Sequence, residues 1–381
     1  MGGGQIELRR IESVGEFERL AAAWDGLVAS LHRPTPFLHS AWLLPWWERC
    51  GAGQTMHVEA AFAGGELVGG IPLELERRRG LRVARFMGRD HSALADVLAV
   101  PRRADEIVPS LVERLRRCGA DYVDLFGLAG NGLLADALAH ADATLIERVE
   151  APVLDLRPGW DEVYCSKTSS RRRSLHRRRR RQLEELGGLE VLVLREEEEL
   201  AEALGDLFRI HDLRWHGRPD RSGFTTRLGK PFNEEVLRRF ARLGMARVVL
   251  LRIDGNPVAF QYFFLFERRM FFYRLAFDPA LARYSPGLVA TLEAIRVAAE
   301  EGAERVEFLG GGERYKLELA DRTEPLYTCI GLASSLQGRL VSTVARLATD
   351  ARIRLKHSER VQRAYAAWSR RAGPGREARA S

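Results

Sequence analysis

The run Arg283-Tyr284-Ser285-Pro286-Gly287 stands where a chain can hold a phosphate. It follows an apolar, strand-like stretch (Phe271 to Phe277) and an Asp278-Pro279 bend, and it opens a helical pattern from Leu288 to Glu301. A short strand comes next, from Arg305 to Leu309, and ends in three glycines. Strand, glycine-bearing loop and helix set loop amides and the positive end of a helix dipole against an anion. Pro286 suits a first helical turn, where its missing N–H costs nothing. Gly287 admits a close backbone approach, and Arg283 offers a charge-assisted contact. The same residues also read as a plain helix start with Ser285 as N-cap. Elsewhere, His211, Arg214 and Trp215 lie at one helix end, where His211 and Trp215 share a face. Asp90, His91 and Asp96 follow a strand of the first half and are read as shaping an acceptor site, or as loop polar residues. Residues 171–181 hold eight arginines and no acid: a patch for nucleic acid or an anionic acceptor, or a solvated helix face.

The elements that must position these groups come in two similar sets. In the first half a helix (15–31), an aromatic-rich segment (34–47) and strands at 57–76 and 82–87 precede a helix (104–118), a strand (122–126), a short helix (132–140) and a strand (145–156). In the second half one arginine-bearing helix (161–186) and a strand (189–194) precede a helix (196–215), a glycine-marked loop read as a lid (217–230), and a helix (231–243). A three-strand meander (247–253, 257–266, 270–277) follows, with an Asp254-Gly255 turn. Glu66 to Pro72 aligns with Asn256 to Tyr262 at an offset of 190 residues, which indicates two copies of one fold. The copies differ after the third meander strand: only the second has the loop opening a helix, so a phosphate cofactor belongs there.

Composition excludes several classes. The formal charge of +7 is concentrated in residues 171–181 and in 334–381, where eleven basic residues face three acids, so the remaining body is net acidic. A surface that tracks nucleic acid throughout is not expected. No run approaches a membrane span, and no secretory signal is read at the start. The four cysteines show no metal-ligand spacing and read as buried free thiols of a reducing compartment. No metal and a cytoplasmic location are expected. The basic helical tail, with Leu340, Val344, Leu347, Ile353 and Leu355 to one side, is suited to an anionic membrane surface or to packing on the protein. The last ten residues read as disordered.

The doubled unit, the Asp-Gly turn, the loop from Phe277 to Gly287, the FLGG strand end and Tyr315-Lys316 resemble the tandem GNAT acyltransferases, in particular the BioF2-like or CelD/BcsL-like group related to FemAB proteins. The resemblance implies an α/β fold with mixed sheets. It implies an N-terminal GNAT-like domain on the acceptor side (1–158), a C-terminal GNAT domain with the acyl-CoA site (159–333) and a basic helical tail (334–381). It implies acetyl-CoA or another acyl-CoA as donor, gripped from Arg283 through Leu288, including Tyr284, Ser285, Pro286 and Gly287. A backbone amide about Leu275 to Phe277 would meet the thioester carbonyl, and Tyr315 would protonate the leaving thiolate. Lys316 is read as binding an anionic acceptor or as a surface lysine. Asp278 is read as a base through water or a turn residue, and Glu313 as a weaker base. His211, Arg214, Trp215, Asp90 and Asp96 would line the acceptor site. The expected reaction is acyl, most simply acetyl, transfer to an amine or hydroxyl on a small molecule, polysaccharide or envelope precursor. Ser285-Pro286-Gly287 is leaner than the usual GNAT loop, so two alternatives stand: a FemAB-like transferase using aminoacyl-tRNA, and an inactive GNAT fold that binds anions.

Overall fold

The structure, a computed structural model, describes residues 5–89, 91–141, 143–215, 223–311 and 313–357. In chain order the first half gives β1 (Ile6–Ile11), α1 (Val14–Ser30), α2 (Ser40–Cys50), β2 (Thr55–Ala63), β3 (Glu66–Arg78), β4 (Leu81–Phe86), β5 (Leu98–Ala99), α3 (Ala104–Arg116), β6 (Tyr122–Ala129), α4 (Leu133–Ala139) and β7 (Ala143–Asp155). The second gives α5 (Trp160–Lys167), α6 (Ser170–Glu184), β8 (Leu189–Leu194), α7 (Glu197–Trp215), α8 (Gly229–Arg242), β9 (Ala246–Ile253), β10 (Asn256–Phe266), β11 (Arg269–Phe277), α9 (Pro286–Glu300), β12 (Arg305–Glu307), α10 (Arg314–Leu319), β13 (Arg322–Gly331) and α11 (Leu336–His357).

Local chemistry accounts for many of these boundaries. Ser13 and Glu16 form a reciprocal capping box at α1, and the helix buries Phe17, Trp24, Leu27 and Val28. Asp254 and Gly255 take positive φ, so β9 and β10 join in the tight turn their right-handed twist prefers. The single helix expected over 161–186 is two helices. Thr168 and Ser169 are extended, and the Ser169 hydroxyl accepts the Arg172 amide to start α6. Of the expected buried thiols, Cys165 is exposed. Part of the expected lid, residues 217–222, lies outside the described residues; Gly223–Thr225 form a single 3-10 turn leading to α8.

The strands form one mixed sheet in the order β1-β2-β3-β4-β6-β13-β7-β12-β11-β10-β9-β8, with β5 on β3. Each unit has four antiparallel strands and a fifth parallel to the fourth: β1 to β4 with β6, and β8 to β11 with β12. The sixth strands are exchanged. β13, from the end of the second half, is antiparallel to β6, while β7, from the end of the first, is antiparallel to β12, and β7 and β13 pair with each other. Hydrogen bonding therefore crosses residue 158 in both directions. The halves also share a core: Trp42 meets Phe232 at 5.1 Å and Tyr273 at 5.5 Å, and Phe37 lies 6.2 Å from Phe264.

Candidate functional site

The second unit opens where a donor would have to enter. β11 and β12 run parallel only from Arg269/Arg305 to Phe271/Glu307. Beyond that pair β12 ends, and the Phe308 amide turns to the Pro152 carbonyl (3.1 Å), continuing along β7. β11 runs on to Phe277 with no strand partner on that side among the described residues. Its hydrogen-bond phase is set by the Asp278 amide, which donates to the Val258 carbonyl (2.8 Å). Antiparallel pairs alternate, so counting back by twos gives Ala276 and Arg274 to β10 and points the Leu275 and Phe277 amides at the open edge.

In the first unit the equivalent gap is closed. The Ala95 amide donates to the Gly127 carbonyl (2.8 Å), and the Ala129 amide returns to Ala95 (3.2 Å), so residues 93–96 lie along the β6 edge. Asp96 fastens this plug: its carboxylate accepts the amides of Val97 (2.8 Å), Leu134 (2.8 Å) and Leu133 (3.0 Å) at the start of α4. Burial pushes its carboxyl up to about 6, against those donors. Asp96 is thus spent on the backbone rather than turned to an acceptor. Asp90, its expected companion, lies outside the described residues.

At the mouth of the open edge a 3-10 turn (Pro279–Tyr284) precedes α9. Asp278 caps that turn, its carboxylate accepting the Ala280 amide (2.9 Å). Ser285 is not a side-chain N-cap. It takes the left-handed conformation (φ 58°), and its carbonyl accepts the amides of Leu288 (3.0 Å) and Val289 (3.3 Å). Pro286 has no N–H, which leaves the Gly287 amide as the free donor of the first turn. Gly287 is there for packing: a Cβ would come within 2.8 Å of the Phe277 ring. Arg283 is exposed, with its guanidinium over the Tyr284 ring (4.6 Å) and bonded to its hydroxyl. α6 closes on this loop, since Arg179 donates to the Arg283 carbonyl (2.6 Å) and Arg180 pairs with Glu293 of α9. Arg171, Arg177, Arg178 and Arg181 on α6 are exposed, and their side chains make no hydrogen bond or ion pair among the described residues.

Tyr315, on α10, is partly buried beside Phe272 (6.4 Å between ring centroids). Burial, and then the Glu313 charge, hold its phenol well above the ordinary tyrosine value, so it stays protonated. Its hydroxyl has no hydrogen-bond partner among the described residues. Lys316 is not a surface lysine: it is buried, and its ammonium pairs with Glu313 (3.0 Å).

On the other face of β11, α7 contributes Arg214, whose guanidinium lies 4.6 Å over the Phe277 ring. His211 is buried there, stacked with Trp215 (5.9 Å) and near Phe224 (5.0 Å). The sequence reading passed over Arg274. A bulge in β11 lets Phe263 pair with Phe272 and Tyr262 with Arg274, so Tyr273 is the extra residue. Arg274 therefore lands on the Tyr273 face, its guanidinium 4.0 Å from that ring. Burial, and then the Arg274 charge, push His211 down to about 4 and His91 down to about 3. Both are neutral at physiological pH.

The acetyltransferase (GNAT) domain family matches residues 169–317. No curated protein matches the chain. Among solved structures the fold is similar to FemX, with a TM-score of 0.59 at 10% identity over 84% of this chain and 96% of that one. It is similar to L-PGS from Bacillus licheniformis, with a TM-score of 0.52 at 11% identity over 79% and 90%. It is also similar to a tandem GNAT protein from the clavulanic acid biosynthesis pathway, with a TM-score of 0.51 at 11% identity over 87% and 100%. The fold is a mixed α/β one of tandem GNAT-like architecture, and residues 169–317 match the acetyltransferase (GNAT) domain family.

Proposed function

We propose that the chain moves an acyl group from acyl-CoA to an amine or hydroxyl acceptor, with acetyl as the simplest group and a glycan or envelope precursor as the acceptor class. The observation that carries this is the parting of β11 from β12 beside the start of α9. The thioester supplies an activated acyl carbon. The Leu275 or Phe277 amide would hold its carbonyl oxygen as negative charge develops there. The Gly287 amide, the α9 N-terminus and Arg283 would hold the pyrophosphate. As the acceptor nitrogen or oxygen bonds to the acyl carbon and the carbon–sulfur bond breaks, Tyr315 would give its proton to the leaving thiolate. The proton lost by the acceptor would pass through water, with Asp278 the nearest sequence candidate. Membership of the BioF2-like or CelD/BcsL-like group and a cytoplasmic location belong to the same proposal.

Calorimetry with acetyl-CoA and longer acyl-CoAs tests the donor. Binding that weakens at least tenfold in Arg283→Glu, an exposed position, is expected; no binding of any acyl-CoA sinks the reading. A second reading, a FemAB-like aminoacyl-tRNA donor, is favoured by the four unpaired α6 arginines beside the donor loop. It requires tRNA binding with a steep salt dependence and activity that is lost on RNase treatment. Neither donor binding would leave the third reading, an anion-binding module.

A further inference from the structure

We propose that Arg274, Tyr262, His91 and His211 form the acceptor site, and that the acceptor is an amine bearing a carboxylate, as in an amino acid or its derivative. The inference rests on the acyltransferase reading for the word acceptor, but the site itself stands on unpaired buried groups. Arg274 donates through Nη1 to the Tyr273 carbonyl (3.0 Å), its Nε is buried without a partner, and no carboxylate pairs with it among the described residues. Tyr262 is fully buried and its hydroxyl has no partner. His91 is buried with Nδ1 unpartnered. His211 has a long contact, 3.4 Å, to the Thr225 hydroxyl. The neighbouring Tyr273 shows the ordinary outcome, donating to Asn233 Oδ1 at 2.7 Å.

Buried polar atoms are nearly always paired, and a cation in an apolar wall is costly unless an anion meets it. Here Tyr262 and Arg274 both lie against the Tyr273 ring, at 5.4 Å between ring centroids and 4.0 Å from guanidinium to ring, and the charge of Arg274 reaches Tyr262, His91 and His211. Phe224 holds the cluster together, 5.9 Å from the Arg274 guanidinium and 5.0 Å from the His211 ring. The ligand that satisfies these groups has two ends. A carboxylate accepts from the Nε–Nη2 edge of Arg274 and from the Tyr262 hydroxyl. An amine donates to a neutral imidazole, which both histidines provide. The free edge of the Arg274 guanidinium is planar and matches the two oxygens of a carboxylate better than the tetrahedral oxygens of a phosphate. Position agrees with chemistry: Arg274 immediately precedes Leu275, whose amide points at the open edge, so an amine held on this face lies next to the thioester carbonyl.

The test is donor-independent. The full chain is labelled with 15N-histidine, the His91 and His211 ring signals are assigned, and glycine, acetate, glycinamide and inorganic phosphate are titrated separately. Glycine and acetate are expected to shift both signals, glycinamide to leave them unmoved and phosphate to act far more weakly. Arg274→Gln should weaken the glycine response at least tenfold. Arg274→Lys, which keeps the charge without the fork, should weaken it by less and guards against a folding defect in the first variant. Unmoved signals, equal responses to glycinamide or phosphate, or a glycine response that survives Arg274→Gln would each overturn the proposal. Acyl-CoA calorimetry on the same samples separates the failures. Donor binding without a carboxylate response sinks the acceptor site alone, whereas a carboxylate response without donor binding sinks the acyltransferase reading and leaves the site.

Discussion

Glu307→Gln should be the most damaging conservative change in the protein. Glu307 is the last β12 residue paired to β11, so its carboxylate sits at the vertex from which the donor edge opens. It is fully buried and takes three guanidiniums, Arg33 at 2.7 Å, Arg305 at 2.8 Å and Arg269 at 3.0 Å. Among the described residues only Glu324 offsets the same cluster, pairing with Arg33 (2.9 Å), Arg305 (2.7 Å) and Arg322 (2.8 Å). Glutamine keeps the shape but removes the charge, which leaves four clustered cations, Arg33, Arg269, Arg305 and Arg322, facing a single carboxylate. Breaking a buried ion pair from one side costs about 3–5 kcal/mol, a large part of the ~5–15 kcal/mol that holds a typical fold together. Arg33→Gln is the control. Glu307 keeps Arg269 and Arg305 in that variant, so the loss is nearer the ~1.5–3 kcal/mol of a charged hydrogen bond. Urea denaturation followed by fluorescence reads both, and acetyl-CoA calorimetry on Glu307→Gln should show weaker binding as β12 loosens. A Glu307→Gln loss below about 1 kcal/mol, or an Arg33→Gln loss equal to it, would refute the vertex argument.

Asp96 carries a pH signature. Its folded carboxyl, raised by burial to about 6 from the ordinary aspartate range, stabilises fully below the unfolded value and loses that contribution as pH rises through 6. The unfolding free energy from urea titrations should fall by up to ~3 kcal/mol between about pH 4 and about pH 7 from this residue, and Asp96→Asn should remove the slope. Gly287→Ala should cost about 1–3 kcal/mol by pushing α9 off Phe277, and Phe277→Leu should recover part of it in the double variant. Tyr315→Phe keeps the ring packing and should lower acyl-transfer kcat on the order of 10²-fold with donor affinity unchanged; an unchanged kcat removes Tyr315 from the reaction. On α11, Leu336, Leu340, Val344 and Leu347 are 83, 68, 59 and 60% exposed. We propose that this stripe and the basic tail meet an anionic membrane. Co-sedimentation with phosphatidylglycerol vesicles, lost in Leu340→Asp/Leu347→Asp and absent with phosphatidylcholine, is the expected result.

The readable parts of this chain are those set by local rules. The β9–β11 meander shows in its apolar runs and Asp-Gly turn, and the repeat offset of 190 matches the starts of β3 and β10, at Glu66 and Asn256. The loop into α9 followed from strand–loop–helix order, whereas the free amides about Leu275 to Phe277 were expected only from the family resemblance. What stayed hidden depends on partners distant in sequence. β13 contains Pro325, Arg322 and Glu324, a poor strand by composition, yet its charges are met by Arg33 and Arg305 from other elements. Arg274 was hidden by a bulge: strict alternation sets neighbours on opposite faces, so Tyr273 and Arg274 could not be expected on one. Lys316 was read as an acceptor-binding or a surface lysine, because nothing local shows that α10 folds back against the core beside Phe272. The Thr168–Ser169 break had a local signal, a serine able to cap the following helix, masked by the run of arginines.

The exchanged strands tie donor and acceptor to one framework. The β12 floor of the donor edge is held from behind by Val153, Leu154 and Asp155 of β7, a strand that belongs to the first half by sequence. The acceptor cluster joins His91 of the first half to Arg274 of the second. A polypeptide of residues 159–333 alone would lose β7 behind β12, Arg33 from the Glu307 cluster and Trp42 from the aromatic core. It would keep every residue of the donor loop and still lack what holds β12 apart from β11. Donor affinity in such a fragment should therefore fall with its fold rather than persist in a free-standing domain. Adding residues 1–158 as a separate chain should restore both together.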